Sequence, residues 1–327
     1  MHMPDGILTF PQAIIYLSIS ITIILLSIWM SRKNLKAKQI PVIGVLAAGL
    51  FAAQMFNFPT PAGASGHLIG TALATTLVGP WVSILIISSI LIVQAMIGDG
   101  GLLAFGANAL NMAIVGAFIA WLVFYFVPVK WKENRKGFSI VAAIAGFLST
   151  LMMSFVASIE LVIAEAGPSG IIFGWMLGLH ALIGLIEGLI TFAIVFFVFK
   201  ADISLLKAAE GSLYLRMEID SKPDKFKIPL WTLFVSLGVF VFMSIFGIIA
   251  STNPDGLERT FEKLGIEGEI TGFLSFGDSL RYEILQMFII MAILFVILVI
   301  LSYIIYRLNV YQVSKKDNAP LLSDESG

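Results

Sequence analysis

The chain has 327 residues, 58% of them hydrophobic and 13% charged, with a mean hydropathy of +0.97 and a net charge of −1. That balance excludes an ordinary soluble domain and reads as an all-α polytopic membrane protein in a lipid bilayer. There is no cysteine, which excludes disulfides and thiolate metal sites, and no basic run marks a nucleic-acid partner.

The chain opens on Met1-His2-Met3-Pro4-Asp5-Gly6, with Asp5 and no Lys or Arg ahead of the first apolar run. Such a start does not read as a cleavable leader, which needs a positive n-region. With a free terminus, the Met1 amine, the His2 amide nitrogen and the His2 imidazole can close two small chelate rings on one metal ion. Pro4 and Gly6 turn the chain back on itself. A fourth nitrogen would complete a planar set, the geometry suited to Ni(II) or Cu(II). The sequence holds three histidines, so the candidates for that nitrogen are His67 and His180.

Apolar segments follow near 11–31, 40–57, 68–97, 106–127, 138–164, 171–199, 229–250 and 285–306, most of them long enough to span a bilayer. Basic residues cluster at Arg32 to Lys38, Lys130 to Lys136, Lys200 to Lys227 and Arg307 to Lys316. Putting all four clusters on the cytoplasmic side requires the 68–97 segment to be broken. Gly79-Pro80 is the natural place, since proline removes a backbone donor and disfavours helix in the residue before it. The half at 68–78 is too short to cross lipid and rich in small residues, so it is expected to lie buried among other helices. The topology becomes nine helices, seven before a 201–228 linker and two after it. The N-terminus is then outside and the C-terminus cytoplasmic.

This topology puts the loop at 58–67 on the same side as the N-terminus, which favours His67 over His180 as the fourth ligand. Pro59 and Pro61 stiffen that loop, and His67 is expected to open the short third helix. A second outer loop, Gly98 to Gly101, precedes Asn108 and Asn111. These two are three apart on one helical face, and either support the site from behind or join helices. In the second helix, Ala48 and Ala52 form a small-xxx-small pair that permits close helix approach. Glu160, His180 and Glu187 are the polar groups at membrane depth, read as a buried structural network or as an ion path. Beyond the linker, Asn253 to Glu258 is a turn leading into an amphipathic helix over Leu257 to Leu264. Asp255, Glu258, Glu262, Glu267 and Glu269 there are expected to form a solvated acidic face. The tail from Ser314 is polar.

No Gly-rich phosphate loop with Lys-Ser/Thr is present, so the chain carries no ATP site of its own. Nor is there an HExxH or a nucleophile elbow to suggest an enzyme. The rival reading is an autonomous ion channel or secondary transporter that uses Glu160, His180 and Glu187. A single helix break and no internal repeat count against it.

Four stretches together resemble the CbiM/NikM family, the substrate-capture components of energy-coupling factor importers for cobalt and nickel. They are Met1 to Gly6, Gly66 to Thr71 with Gly79-Pro80-Trp81, Gly101 to Asn108, and His180 to Gly188. Pro254 to Glu258 resembles the small PDGLE-type partner of these proteins, CbiN or NikN, fused here to the same chain. The resemblance implies a seven-helix metal-capture membrane domain at 1–200 and a two-helix domain with an extracytoplasmic loop at 229–313, with a disordered tail at 314–327. It implies Co2+ or Ni2+ as the transported ion. The ion would be held in a plane by the Met1 amine, the His2 amide and imidazole, and the imidazole of His67. It also implies partners absent from this chain, a transmembrane coupling subunit and two cytoplasmic ATPase subunits, with Ala48 and Ala52 on the docking face. Met3 stands where the family usually has isoleucine.

Overall fold

The computed structural model describes residues 1–32, 40–60, 64–132, 134–201 and 254–266. Seven helices form the body: α1 (Phe10–Ser31), α2 (Ile40–Gln54), α3 (Thr71–Val78), α4 (Pro80–Ile97), α5 (Phe105–Phe126), α6 (Arg135–Ile163) and α7 (Ser169–Ala201). A hairpin of β1 (Asn57–Thr60) and β2 (Ala64–His67) joins α2 to α3, and a single turn at Val129–Lys132 precedes α6. A short helix, α8 (Gly256–Leu264), packs on α7 and on the hairpin. Apart from Ala201, which ends α7, the linker expected at 201–228 lies outside the described residues, as do the helices at 229–250 and 285–306, the tail from 314, and Glu267 and Glu269.

Five of these helices, α1, α4, α5, α6 and most of α7, are long and apolar enough to cross a membrane. Small residues set how closely they pack. On α1, Ala13, Ser20 and Ser27 recur every seven residues and are buried, while Phe10, Leu25 and Trp29 face outward. Ser20 Oγ donates to the Gly106 carbonyl of α5 at 2.6 Å. A Cβ on Gly106 would meet the Leu17 main chain of α1, so this crossing needs glycine. Gly106→Ala is expected to lower stability by about 1–3 kcal/mol, the usual cost of overpacking. Thermal melting of the detergent-purified variant measures it. The α6–α7 pair is built the same way, with Gly188 close against the Ala143 carbonyl and Gly184 against Phe147.

The break at Gly79-Pro80 is where the sequence puts it. Gly79 sits at φ +82°, which suits glycine, and Pro80 starts α4. Every residue of α3 except Leu77 is buried. Two parts differ from expectation. The second apolar segment gives a helix of 15 residues ending at Gln54, because the chain then leaves helix for the β hairpin. The 58–67 stretch is that hairpin instead of an irregular loop, with Asn57 paired to His67. His67 therefore ends a strand, and α3 begins four residues later, after the left-handed Gly70 at φ +76°.

Helix α5 contains a π segment, Ala109–Val115. Thr71 Oγ1 of α3 donates to the Met112 carbonyl within it at 2.7 Å, taking up an acceptor from the loosened helix.

Candidate metal centre

The N-terminal segment is not a loose end. Met1, His2 and Met3 are all buried, and the following Asp5 is exposed but tied down. Asp5 oxygens accept from the main-chain nitrogens of Leu102, Leu103 and Ala104 at 3.1, 2.8 and 2.9 Å, just ahead of α5. A carboxylate suits the unpaired N–H groups before a helix. Gly101 leaves the space this needs, since a Cβ there would collide with Asp5. Met3 is held by its backbone: its N–H donates to Asn108 Oδ1 at 2.7 Å, and its carbonyl accepts from Asn108 Nδ2 at 3.0 Å and Gly101 N at 2.9 Å. Pro4 and Gly6, with Gly6 at φ +87°, take the chain out of this pocket toward α1.

These anchors bring Met1 and His2 against His67. The Met1 amine lies 3.2 Å from His67 Nε2. The His2 and His67 rings are nearly parallel, 12° apart, with centroids separated by 5.1 Å. His67 Nδ1 is 3.3 Å from its neighbour's carbonyl, Leu68 O, which favours a proton on Nδ1 and turns the Nε2 lone pair toward Met1. Burial, then the Met1 ammonium and His2, push His67 down to about 3, so the ring is a neutral donor.

Carboxylates complete the surroundings. His2 Nδ1 is 3.0 Å from Asp99 Oδ1, and its Nε2 is 3.1 Å from Gln94 Oε1. Burial works to raise Asp99, but the imidazole of His2, then His67 and the terminal ammonium, outweigh it and hold the carboxyl below its usual range. The Met1 ammonium forms a close ion pair with Asp255 Oδ2, whose second neighbour is His67 Nε2 at 3.8 Å. For Asp255 too, burial is outweighed by the Met1 ammonium and His67, and the carboxyl is held down. Glu258 is pushed up by burial and by Asp255 beside it. Among the described residues, no group of three or more His, Cys, Asp or Glu side chains is arranged to hold a metal ion.

Asn108 and Asn111 part company. Asn108 grips Met3, whereas Asn111 Nδ2 donates to Glu160 Oε2 at 2.6 Å. The π segment begins between them and breaks the simple three-residue spacing. Glu160, His180 and Glu187 are all buried, but each has its own partners, so among the described residues they do not line one path. Glu187 accepts from Ile69 N and Gly70 N at 2.9 and 2.8 Å, fixing the two residues that lead into α3, and His180 Nδ1 pairs with the Met176 carbonyl at 2.7 Å. Ala52 packs in the core, and Ala48 is half-buried; it is Gly49, with nothing within 4 Å of a Cβ, that leaves α2 open. The expected solvated acidic face is corrected at Asp255, which is buried because it caps α8 and pairs with Met1. Asp99, Gln94 and Asp5 carried no signal beyond their type; the Gly-rich setting of Asp99 and the Pro4–Gly6 bracket around Asp5 marked only turns.

Membrane-length helices around a buried, charge-paired Met1 define a multi-pass membrane protein. A family model described as the cobalt uptake substrate-specific transmembrane region, CbiM, matches residues 2–205. An Archaeoglobus fulgidus protein, provisionally named fused nickel transport protein NikMN, is 37% identical over 224 residues, 66% of this chain and 72% of that protein. The cobalt transport protein CbiM of Geobacter sulfurreducens is 32% identical over 167 residues, 49% of this chain and 46% of its own length. A crystal structure described as a transition metal transporter aligns over 64% of this chain and 98% of its own, with 26% identity and a TM-score of 0.56. The chain belongs to the CbiM/NikM family of cobalt and nickel transport proteins, with a second domain fused behind the matched region.

Proposed function

We propose that this chain is the substrate-binding membrane component of an ATP-driven energy-coupling factor importer for Co2+ or Ni2+. It captures the ion outside the cell with four nitrogens: the Met1 amine, the His2 amide, the His2 imidazole and His67 Nε2. The observation that carries this reading is the 3.2 Å approach of the terminal amine to a neutral, lone-pair-bearing His67 nitrogen in a buried pocket. Two donors at that separation can share one ion. On loading, His2 exchanges its contact with Asp99 for the metal, and the amine gives up its proton.

The N-terminus lies on the extracytoplasmic side and the C-terminus in the cytoplasm. A transmembrane coupling subunit and two cytoplasmic ATPases supply the energy, a reading supported by the chain's membership of a family of cobalt uptake components. The open Gly49 side of α2, with Ala48 at its edge, is the surface offered to the coupling subunit.

The test is calorimetry and visible absorption with Ni2+ and Co2+ on the detergent-purified full chain with a native terminus. One equivalent is expected to bind, and His2→Ala and His67→Ala are each expected to weaken it at least about a hundredfold. Unchanged binding in both variants overturns the reading.

A further inference from the structure

We infer, resting on the capture site proposed above, that Asp255 is a positioning residue which holds the Met1 ammonium beside His67 while no ion is bound. Its carboxylate is divided between two tasks. Oδ1 accepts from Leu257 N and Glu258 N at 2.7 and 2.9 Å, capping α8, and Oδ2 takes the terminal ammonium. The orientation is locked from the other side, where Glu258 Oε2 accepts from Asp255 N at 2.7 Å. This reciprocal box leaves the carboxylate one way to point.

The helix it starts is firmly seated. Leu257 and Phe261, one turn apart, are buried with Met3, Ile172 and Met176. Ser65 N of β2 donates to the Pro254 carbonyl at 2.8 Å. A Cβ on Gly256 would come within 2.8 Å of His180 Cε1, so His180 is a wall against which the start of α8 rests. These contacts bring one residue of the PDGLE segment to the amine 254 positions earlier.

A buried ammonium needs an anionic partner, or the terminus escapes to water. An imidazole is never an anion here, so His67 cannot fill that role; the Asp255 carboxylate can. The charge facing it is also the same in both states. An ammonium beside a neutral amide carries one positive charge. A divalent ion with an ionised amide carries one as well, once one proton has left the amine and one the amide. The same carboxylate therefore suits the empty and the loaded site, and loading needs no rearrangement of α8.

Asp255→Asn is the informative change, because asparagine caps a helix about as well as aspartate while losing the charge. In the metal-free full chain, acylation of the Met1 amine by an N-hydroxysuccinimide ester, read by mass spectrometry of the N-terminal peptide, is expected to accelerate at least tenfold. Association of Ni2+, followed by absorption, is expected to slow at least tenfold. Asp255→Glu, which keeps the charge, is expected to restore most of the protection, and it carries the test if the asparagine variant does not fold. Wild-type labelling and loading in Asp255→Asn, or a glutamate variant as exposed as the asparagine one, overturns the inference. His67→Ala separates the two proposals. Metal binding lost there but normal loading in Asp255→Asn removes only the role of Asp255. Binding retained in His67→Ala removes the capture site itself.

Discussion

Blocking the Met1 amine, by acetylation or by one added residue, is expected to abolish Ni2+ and Co2+ binding, with affinity falling about a hundredfold to a thousandfold or more. Two effects add. A four-ligand site with apparent binding of about 10–16 kcal/mol loses roughly a quarter of it when one donor becomes an amide. The amine also sits in a closed place between Asp255 and His67, and Met1 is 4% exposed, so an added residue cannot enter without displacing the chelate. Calorimetry on the native and extended chains, purified in parallel, reads the difference. Equal affinities would show that the terminus is buried for stability alone.

Acidification is expected to weaken metal binding, by about tenfold to a hundredfold per pH unit around neutrality. The sign follows from the protons displaced. Each ion bound releases one proton from the Met1 ammonium and one from the His2 amide, so adding protons favours the empty site. His67 adds nothing to this slope above about pH 4, because its burial and the nearby ammonium hold it down to about 3 and it is already neutral. Competition titrations between pH 8 and pH 6 measure the slope. A flat profile excludes amine and amide as donors, whereas a slope of one proton leaves only one of the two releasing a proton.

The parts of the fold that were legible share one property: their signals are local. Gly79-Pro80 breaks a helix through its own backbone chemistry, and the break is there. Long apolar runs became membrane-length helices because a main chain in lipid has to satisfy its own hydrogen bonds. Leu257 to Leu264 showed its amphipathic spacing, and α8 buries Leu257, Thr260 and Phe261 on one side. The hairpin at 57–67 was less legible, since two prolines and two glycines read as loop, and only pairing across Asn57 and His67 makes them strands. The separation of Asn108 from Asn111 was hidden in the same way, because nothing in their spacing announces a π segment.

For the candidate site, the sequence by itself named the proposed donors. A histidine at position 2 behind a free amine has chelating chemistry wherever the chain goes, and with three histidines in all the fourth donor had few places to come from. Tertiary structure alone decided what faces those donors. Asp5, Asn108 and Gly101 seat the terminus, Glu187 fixes the residues leading into α3, and Asp255, expected on a solvated face, is carried by packing to the amine. The physical reason is that a covalent chelate is written in adjacent residues. A buried charge, by contrast, acquires its partner only when distant elements close around it and exclude water.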